Sequence, residues 1–452
     1  MKTTVNKLFP ALLVTGVLVI YLACISAGND ERGSGLYNAV ITVDASTVVA
    51  EEYSGVGRGF LHGLNGDATQ PDDGLLLPLK PTLFRAGGQS GNYVWWIGHN
   101  GHEKWEGMYQ SVKAHILRTT QAPYSAPFDL LVCDLYGYSP NKRPCDNGDC
   151  SDWIMFINAM LDKFGEDGLI NDFLRFDIWN EPDNAEFWNR TSEQYHQMWN
   201  TAVNLIRSRF PNAVIVGPST AAFKHDDMQT CINRFKTDGT FPDIWSWHFS
   251  ADPVADAADI RAMLTTAGYP GMKLDMNEYL DPSQLRSGML AWYLARLQRS
   301  GIDWAIHAIW ADCCDKGLLD GALALVDGRR VTKGEYWVYR ASALLPEKVL
   351  QSAGDKGIDL IAARNDEARK ISILLGSEKF SGTALVHISG MDKTFPNASN
   401  VCVTVKRIAD GIISGPAVEY EKMLPVKNGS VKVVLPWNVK SDAWFCELRI
   451  MN

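Results

Sequence analysis

The sequence lacks an excess of basic residues, and it has no dense block of lysine and arginine. Lys and Arg number 43 against 52 Asp and Glu, which gives a net charge of −9 at pH 7. A surface of this sign repels phosphate backbones as a whole, and no basic cluster reverses that locally. We therefore expect no nucleic-acid partner.

Internal repeats and low-complexity tracts are also absent, and no Gly-x-Gly-x-x-Gly turn follows a first strand. The missing glycine motif argues against an open, doubly wound dinucleotide-binding sheet. What the chain does have is length and apolar content, with 452 residues that are 46% hydrophobic. That is enough material for one large core and a smaller one, so two domains are expected.

The N-terminus has the features of a secretory signal. Lys2 and Lys7 precede an apolar run over residues 8–23, and small residues follow at 26–28. We expect a signal peptide over residues 1–28 and a secreted, extracellular protein. The alternatives are an uncleaved anchor or lipidation at Cys24, and only these would give the chain a stable membrane partner.

Eight cysteines lie beyond this segment, an even count that fits disulfides in an exported chain. Cys145 and Cys150 are spaced to close a small loop, and Cys402 with Cys446 is a candidate staple of the C-terminal region. Zinc is the alternative for the first pair, but no second Cys or His pair lies nearby, so no metal is expected. N-glycosylation sequons agree with export and begin at Asn189, Asn397 and Asn428.

From residue 54 to about residue 345, short apolar runs alternate with stretches of helical periodicity. This alternation predicts parallel strands joined by crossover helices. Eight such units match the usual size of a (β/α)8 barrel. The strand candidates span residues 57–63, 83–87, 129–135, 173–179, 213–216, 244–249, 273–276 and 304–310. Helices are predicted, among others, over residues 153–164, 192–210, 257–267 and 287–299.

Beyond that segment the pattern changes to short alternating runs separated by Gly, Asn, Asp and Pro. Residues 346–452 are therefore predicted to form an antiparallel β-sandwich. A Val/Thr-rich stretch within residues 37–52 is expected to add a strand to it. The predicted fold class is α/β, a (β/α)8 TIM barrel over residues 54–345 with a C-terminal antiparallel β-sandwich domain.

Two predicted barrel strands end in the same dipeptide, Asn180-Glu181 on the fourth and Asn277-Glu278 on the seventh. The C-terminal ends of barrel strands meet on one face, where active sites lie. A single glutamate there would ordinarily be a helix N-terminal residue. Two matched ones suit glycosidic hydrolysis, which needs one carboxyl to protonate the leaving oxygen and one to attack or activate water. A carboxyl separation of about 5–5.5 Å predicts retention, and about 6.5–9.5 Å predicts inversion.

Residues 178–184, Ile-Trp-Asn-Glu-Pro-Asp-Asn, followed by Glu-Phe-Trp at 186–188, resemble the acid/base motif of clan A retaining glycosidases. The resemblance is greatest to glycoside hydrolase family 39, which includes β-xylosidases and α-L-iduronidases. Residues 216–220 and 246–249, together with the barrel-then-sandwich order, support it. The resemblance covers most of residues 54–345.

The resemblance implies that Glu181 is the general acid/base, that Glu278 is the nucleophile, and that Asn180 donates a hydrogen bond to the sugar 2-hydroxyl. Asn277 departs from the residues that family 39 members commonly carry before the nucleophile. Residues 60–63 on the first strand match no motif of the family. Both departures leave the identity of the substrate open.

Charge considerations add Arg85 to the site. The nucleophile must be ionised, so a cation beside Glu278 is expected, and Arg85 ends the second predicted strand. Glu181 must hold its proton until attack, and we expect burial and the negative Glu278 to raise its pKa. A structural salt bridge is the alternative for Arg85.

Three further residues are expected to bind substrate. His248 ends the sixth strand, where it would hydrogen-bond a sugar hydroxyl or the acid/base. Tyr279 follows the nucleophile and would donate to it, and Trp310 closes the eighth strand as a floor for the sugar ring. Core packing is the alternative for each of them.

These observations together predict a secreted retaining glycoside hydrolase that acts by double displacement on a glycoside, an oligosaccharide or a polysaccharide. No cofactor is expected. One alternative is another clan A activity, such as a β-glucuronidase, an arabinofuranosidase or an endo-glycanase. The other is a carbohydrate-binding protein that has kept the barrel and lost catalysis.

Overall fold

The structure is a computed structural model that describes residues 37–87, 102–133, 142–308 and 318–451, without the side chains of 102–105 and 282. The predicted signal segment and Trp310 lie outside these ranges. Within them, no helix is both long enough and apolar enough to cross a membrane.

The first strand, β1 (Ala39–Ala50), belongs to the C-terminal sheet, and the next eight strands form a closed parallel barrel in chain order. The barrel confirms the predicted (β/α)8 architecture. Its strands are β2 (Gly59–Leu61), β3 (Leu83–Ala86), β4 (Phe128–Leu131), β5 (Leu174–Asp177), β6 (Val214–Thr220), β7 (Ile244–His248), β8 (Lys273–Tyr279) and β9 (Trp304–His307).

One α-helix follows each barrel strand in the described part of the chain. These helices are α1 (Asp73–Leu76), α2 (His102–Thr120), α3 (Ser151–Glu166), α4 (Ser192–Arg209), α5 (His225–Asp238), α6 (Pro253–Ala267), α7 (Ser287–Ser300) and α8 (Gly334–Ala343). Short 3-10 helices cover Leu77–Leu79, Asp146–Gly148 and Pro282–Gln284. A hairpin of β10 (Leu323–Val326) and β11 (Arg329–Thr332) precedes α8.

Local sequence explains where the barrel helices begin and end. Thr191 caps α4 by accepting a hydrogen bond from the Gln194 amide, and Asp252 caps α6 directly before Pro253. The residue after α6 is Gly268, whose φ of +99° suits glycine and stops the helix. Thr191 and Asp252 lie on the face where the strands end, whereas Gly268 lies at the opposite end of the barrel, before β8.

The barrel interior is charged at one level, although its outer face is apolar. Arg85, Asp129 and Arg175 are paired in register on three neighbouring strands, and all three are buried. Asp177 and Asp275 are also buried, and burial together with the neighbouring Asp129 raises the pKa of Asp275 well above its usual range, which favours its neutral form. Buried ionisable groups with perturbed pKa values are concentrated at functional sites, so this layer is a candidate place for one.

The C-terminal domain is a nine-stranded sheet in which β1 lies between β12 and β15. All its neighbours pair antiparallel except β1 with β15. Its other strands are β12 (Lys348–Ala353), β13 (Ile358–Asn365), β14 (Lys370–Ser377), β15 (Gly382–Ser389), β16 (Asn400–Ile408), β17 (Ala417–Pro425), β18 (Val431–Trp437) and β19 (Ala443–Met451), with a short helix α9 (Met391–Thr394) after β15.

This sheet curls around its own apolar core, so the two faces predicted for a sandwich belong to one continuous sheet. Its edge strands approach each other, because Tyr420 on β17 donates to the carbonyl of Val434 on β18. Barrel helix α7 packs against the sheet where Gly288 meets Gly376. A Cβ on Gly376 would lie 2.3 Å from the Gly288 carbonyl oxygen, so the contact requires glycine.

The structure joins Cys145 to Cys150 in a disulfide. The predicted Cys402–Cys446 bridge is wrong. The two residues lie on neighbouring strands, but Cys446 is opposite Val405 and Cys402 is opposite Arg449. Side chains alternate between faces, so Cys446 points into the core and Cys402 points away from it.

Candidate active site

Arg85 is the hub of a buried polar cluster at the C-terminal ends of the barrel strands. Its Nε donates to Asp177 Oδ2, its Nη1 to Glu278 Oε1 and its Nη2 to Asn180 Oδ1, each at 2.7 Å. Burial lowers the pKa of Arg85, but the carboxylates of Asp177 and Glu278 outweigh that effect and the net shift is upward. The guanidinium therefore stays charged and holds in place three residues from two chain segments, the end of β5 and the end of β8.

A second set of hydrogen bonds fixes Asp177. Its Oδ1 accepts from Ser219 Oγ at 2.8 Å and its Oδ2 from Asn277 Nδ2 at 3.0 Å. The Ser219 hydroxyl also lies 2.8 Å from Ser246 Oγ. Asp177 thus connects strands β5, β6 and β8 and orients the guanidinium of Arg85, as supporting groups behind reactive residues commonly do.

Glu181 follows β5 and has a φ of +46°, in the left-handed region that non-glycine residues rarely adopt. Its amide donates to the carbonyl of Ser219 at 2.9 Å. Its Oε1 lies 2.9 Å from His248 Nδ1, and its Oε2 accepts from Asn184 Nδ2 at 2.7 Å. Strained backbone of this kind is concentrated at functional sites, where the surrounding structure holds it.

A bulge in β8 places two consecutive side chains in the site. Trp247 pairs with Met276 and His248 pairs with Glu278, which leaves Asn277 as the extra residue. In a regular strand, neighbouring side chains would point to opposite faces. Here Asn277 and Glu278 both contact site residues.

Tyr279 lies elsewhere than expected. Its hydroxyl donates to the carbonyl of Gly57 and lies 3.1 Å from the Tyr339 hydroxyl, so the side chain packs between the barrel and its helices. The predicted donation to Glu278 is therefore wrong, because the residue after the nucleophile faces outward from the barrel. Burial raises the pKa of Tyr279, which stays protonated.

The two glutamates are close together. Glu181, His248 and Glu278 each offer an oxygen or nitrogen atom, and these atoms lie within 4.8 Å of one another. The nearest carboxylate oxygens of the two glutamates are therefore no more than 4.8 Å apart. This distance is shorter than the carboxyl separation of inverting enzymes, which is about 6.5–9.5 Å. Three such atoms could also hold a divalent cation. However, Arg85 already compensates Glu278, and His248 Nδ1 is directed at Glu181, so these atoms have partners without an ion.

The pKa of Glu181 shifts in the direction opposite to the expected one. Burial raises it, but the hydrogen bonds from His248 and Asn184 and the charges of His248 and Arg85 outweigh burial and lower it overall. The expected rise took account of burial and Glu278 but not of the hydrogen bonds to Glu181, one of which comes from His248, a partner that the sequence already suggested. In the substrate-free site, Glu181 therefore favours its ionised form.

The buried Asn277 Oδ1 has no hydrogen-bond partner among the described residues. The same is true of two buried nitrogens of the cluster, Asn180 Nδ2 and His248 Nε2. Because their residues already bind Arg85 and Glu181 through the other polar atom, these two nitrogens remain for a ligand. Leaving such groups unpaired costs about 1–3 kcal/mol each, a cost that a hydroxyl-rich ligand would remove.

The site contains residues that the sequence argument did not single out: Asp177, Asn184, Ser219, Ser246 and Asp320. Asp320 is buried after β9, accepts from the Leu61 amide at 2.9 Å, and has a pKa raised by burial and by Glu278. Alternation along β5 could have identified Asp177, which lies two residues from Arg175 on the inward face. No local signal marks Asp320, because it lies outside the predicted strands.

Comparison with solved structures agrees with this architecture. A protein designated N2152 from Neocallimastix frontalis superposes with a TM-score of 0.76 at 21% identity, covering 91% of this chain and 99% of the other. A glycoside hydrolase family 39 β-xylosidase from Caulobacter crescentus gives 0.60 at 15% identity, covering 91% and 99%. A bacterial orthologue of human α-L-iduronidase gives 0.58 at 12% identity, covering 91% and 84%.

These likenesses confirm the predicted resemblance to family 39 at the level of fold. No family model matches the sequence, and no curated protein does.

Proposed function

We propose that this protein is a retaining glycoside hydrolase in which Glu278 is the nucleophile and Glu181 is the general acid/base. The observation that carries the proposal is the pair of carboxylates, with atoms within 4.8 Å of each other, at the C-terminal face of the barrel. The different partners of the two glutamates support the assignment of roles. The structural neighbours that are named as glycosidases support the reaction class, although their sequence identities to this chain are low.

In the first step, a Glu278 oxygen attacks the anomeric carbon while the glycosidic bond breaks and the Glu181 proton passes to the leaving oxygen. This produces a glycosyl ester on Glu278 and a free alcohol. In the second step, Glu181 accepts a proton from water, whose oxygen attacks the anomeric carbon and releases Glu278. Each step inverts the configuration of the anomeric carbon, so the product has the same anomeric configuration as the substrate.

The surroundings of the glutamates fit this division of labour. Arg85 donates directly to Glu278 at 2.7 Å, so the proposed nucleophile is paired with a buried cation. Glu181 is instead bound by His248 and Asn184, and neither of these is a permanent cation as Arg85 is. Asn180 offers its free amide hydrogens beside Arg85, where a sugar hydroxyl of the first subsite would lie.

The neighbours named above suggest which substrates to test first. They are described as acting on xylosides and iduronides, and a further neighbour from Croceicoccus marinus is described as a glucosidase. A protein that only binds carbohydrate is disfavoured, since it would have no need to hold both carboxylates at this spacing. We also propose export of the chain, supported by the signal-like residues 1–28 and by exposed sequon asparagines at 189, 397 and 428.

The function is tested with a panel of aryl glycosides, including β-xylosides, β-glucosides, α-L-iduronides, β-glucuronides and α-L-arabinofuranosides. We expect chromophore release from one or a few of them, and proton NMR of the first product should show the anomer of the substrate. An inverted first product would refute double displacement. Failure to cleave any of these glycosides, or natural oligosaccharides, would instead favour a binding protein.

Replacement of His248 should move the pH profile of kcat/KM. Glu181 must be protonated to act as the acid, and His248 lowers its pKa. Removing the imidazole in H248A therefore raises that pKa, and the alkaline limb of kcat/KM should shift to higher pH by about one unit while the maximum falls by about tenfold. H248N retains a neutral amide donor and should give a smaller shift. An alkaline limb that is unchanged in H248A would show that Glu181 is not the titrating acid.

A further inference from the structure

A cavity of about 400 Å³ lies beside the loop that carries Glu181, but neither Glu181 nor Glu278 lines it. Its walls are the loop after β5, the first turns of α4, the end of β6 and the side of α5. The volume is in the range of small-molecule sites, about 300–1,000 Å³. The lining residues that matter here are Trp188, Tyr195, His196, Thr220 and Thr230.

Two residues of this wall each carry a buried polar atom that has no hydrogen-bond partner in the described part of the protein. These atoms are Tyr195 Oη and His196 Nδ1, and both residues are only 3% exposed. A buried polar atom without a partner costs about 1–3 kcal/mol, so such atoms normally indicate a ligand or ordered water. Burial and Arg234 lower the pKa of His196 to about 4, so its ring is neutral at physiological pH.

Each charged residue of the cavity wall has an ion-pair partner that lies outside the wall. Asp183 lies 2.9 Å from Lys224, which is also 3.8 Å from Asp227. Arg190 contacts Asp146 at 2.7 Å. A charged ligand would have to compete with these pairs, whereas a neutral ligand with many hydroxyls would not. The aromatic rings of Trp188 and Tyr195, which meet edge to face with centroids 5.8 Å apart, add apolar surface to the wall.

We propose that this cavity binds one neutral sugar unit, with Tyr195 and His196 as its buried hydrogen-bonding residues. The unit is either the leaving-group part of the substrate or a free sugar. Glu181 protonates the leaving oxygen, and its own loop forms one wall of the cavity, which makes the leaving-group side the nearer source. The assignment of this sugar unit to the leaving group rests on the proposed function, whereas the binding of a neutral sugar in the cavity does not.

The test uses a tryptophan to fill the cavity from an exposed helix position. Thr230 lines the cavity, and its hydroxyl bonds only the Asp226 carbonyl within α5. Thr237 is a matched control, because it is exposed on the same helix, makes the same type of bond to Asn233, and does not line the cavity. Calorimetric titration of the full chain with D-xylose, D-glucose, xylobiose, cellobiose and D-glucuronate compares T230W, T237W and wild type.

We expect T230W to lose one neutral-sugar site, with binding at least tenfold weaker, and T237W to bind like wild type. Y195F removes only the unpartnered hydroxyl and should weaken the same site severalfold without a loss of thermal stability. Binding of neutral sugars that is unchanged in T230W, or absent from wild type, would overturn the proposal. Binding of glucuronate at this site as tight as that of glucose would overturn the neutral class.

Steady-state kinetics show whether the bound sugar unit is the leaving-group part of the substrate or a free sugar. If the unit belongs to the substrate, T230W should lower kcat/KM severalfold for disaccharides and leave it unchanged for aryl monoglycosides. If disaccharide kinetics are also unchanged while sugar binding is lost, the ligand is a free sugar. If wild type cleaves no glycoside, the proposed function fails, and the titrations still decide whether the cavity binds sugar.

Discussion

Replacing Glu278 by alanine should lower the hydrolysis of an activated aryl glycoside by about 10⁴-fold or more, because no other group can form the covalent intermediate. Added azide should restore turnover. Its nitrogen attacks the anomeric carbon as the aryl group leaves, and the product is a glycosyl azide of inverted configuration. The measurement is chromophore release, with the azide product identified by NMR.

The matching variant of Glu181 makes the assignment specific. E181A should still form the intermediate from a substrate with a good leaving group, and azide should then attack that intermediate to give a glycosyl azide of retained configuration. Glu186 offers a control, because it is an exposed glutamate in the same loop. E186A should remain close to wild type. A glycosyl azide of retained configuration from E278A, or one of inverted configuration from E181A, would mean that the two glutamates have the opposite roles.

Much of this architecture could be predicted because it depends on patterns that are local in the chain. Apolar runs alternating with amphipathic stretches determine the barrel, and strand ends on one face bring Glu181 and Glu278 together. Arg85 could be predicted as a partner of Glu278 by charge alone. For these residues, position along a strand is enough to fix position in space.

The remainder depended on backbone irregularities and long connections. The bulge at Asn277 changes which side chains of β8 face the site, and this sends Tyr279 outward. The left-handed backbone at Glu181 aims its carboxylate at His248, which reverses the expected pKa shift. Neither feature has a composition signature, since Asn-Glu reads the same in a regular strand.

The correct disulfide prediction and the wrong one differ in what brings the two cysteines together. Cys145 and Cys150 are five positions apart, so the chain itself keeps them close. Cys402 and Cys446 depend on strand register, in which a shift of one residue changes the face of a side chain. Spacing in sequence therefore constrains the first pair and says nothing about the second.

Loss of Arg85 should harm stability and catalysis together. Its guanidinium is fully buried between Asp177 and Glu278, so R85M leaves two buried carboxylates without their cation. Breaking a buried ion pair in this way costs about 3–5 kcal/mol. We expect urea denaturation to show a loss of that size, and kcat/KM to fall by more than about a hundredfold because Glu278 and Asn180 lose the guanidinium that holds them in place.

Two comparisons separate the charge from the geometry. R85K keeps a cation, but its three donors lie on one nitrogen and cannot reproduce the planar fork with which Nε, Nη1 and Nη2 of Arg85 reach three different acceptors, so it should recover part of the stability and little of the activity. Arg209 pairs with Asp162 at the surface, and R209M should cost no more than about 1 kcal/mol. An R85M protein as stable as R209M would mean that the contacts of Arg85 with Asp177 and Glu278 do not contribute to stability as buried ion pairs. Pairing with a buried cation would then no longer support Glu278 as the nucleophile.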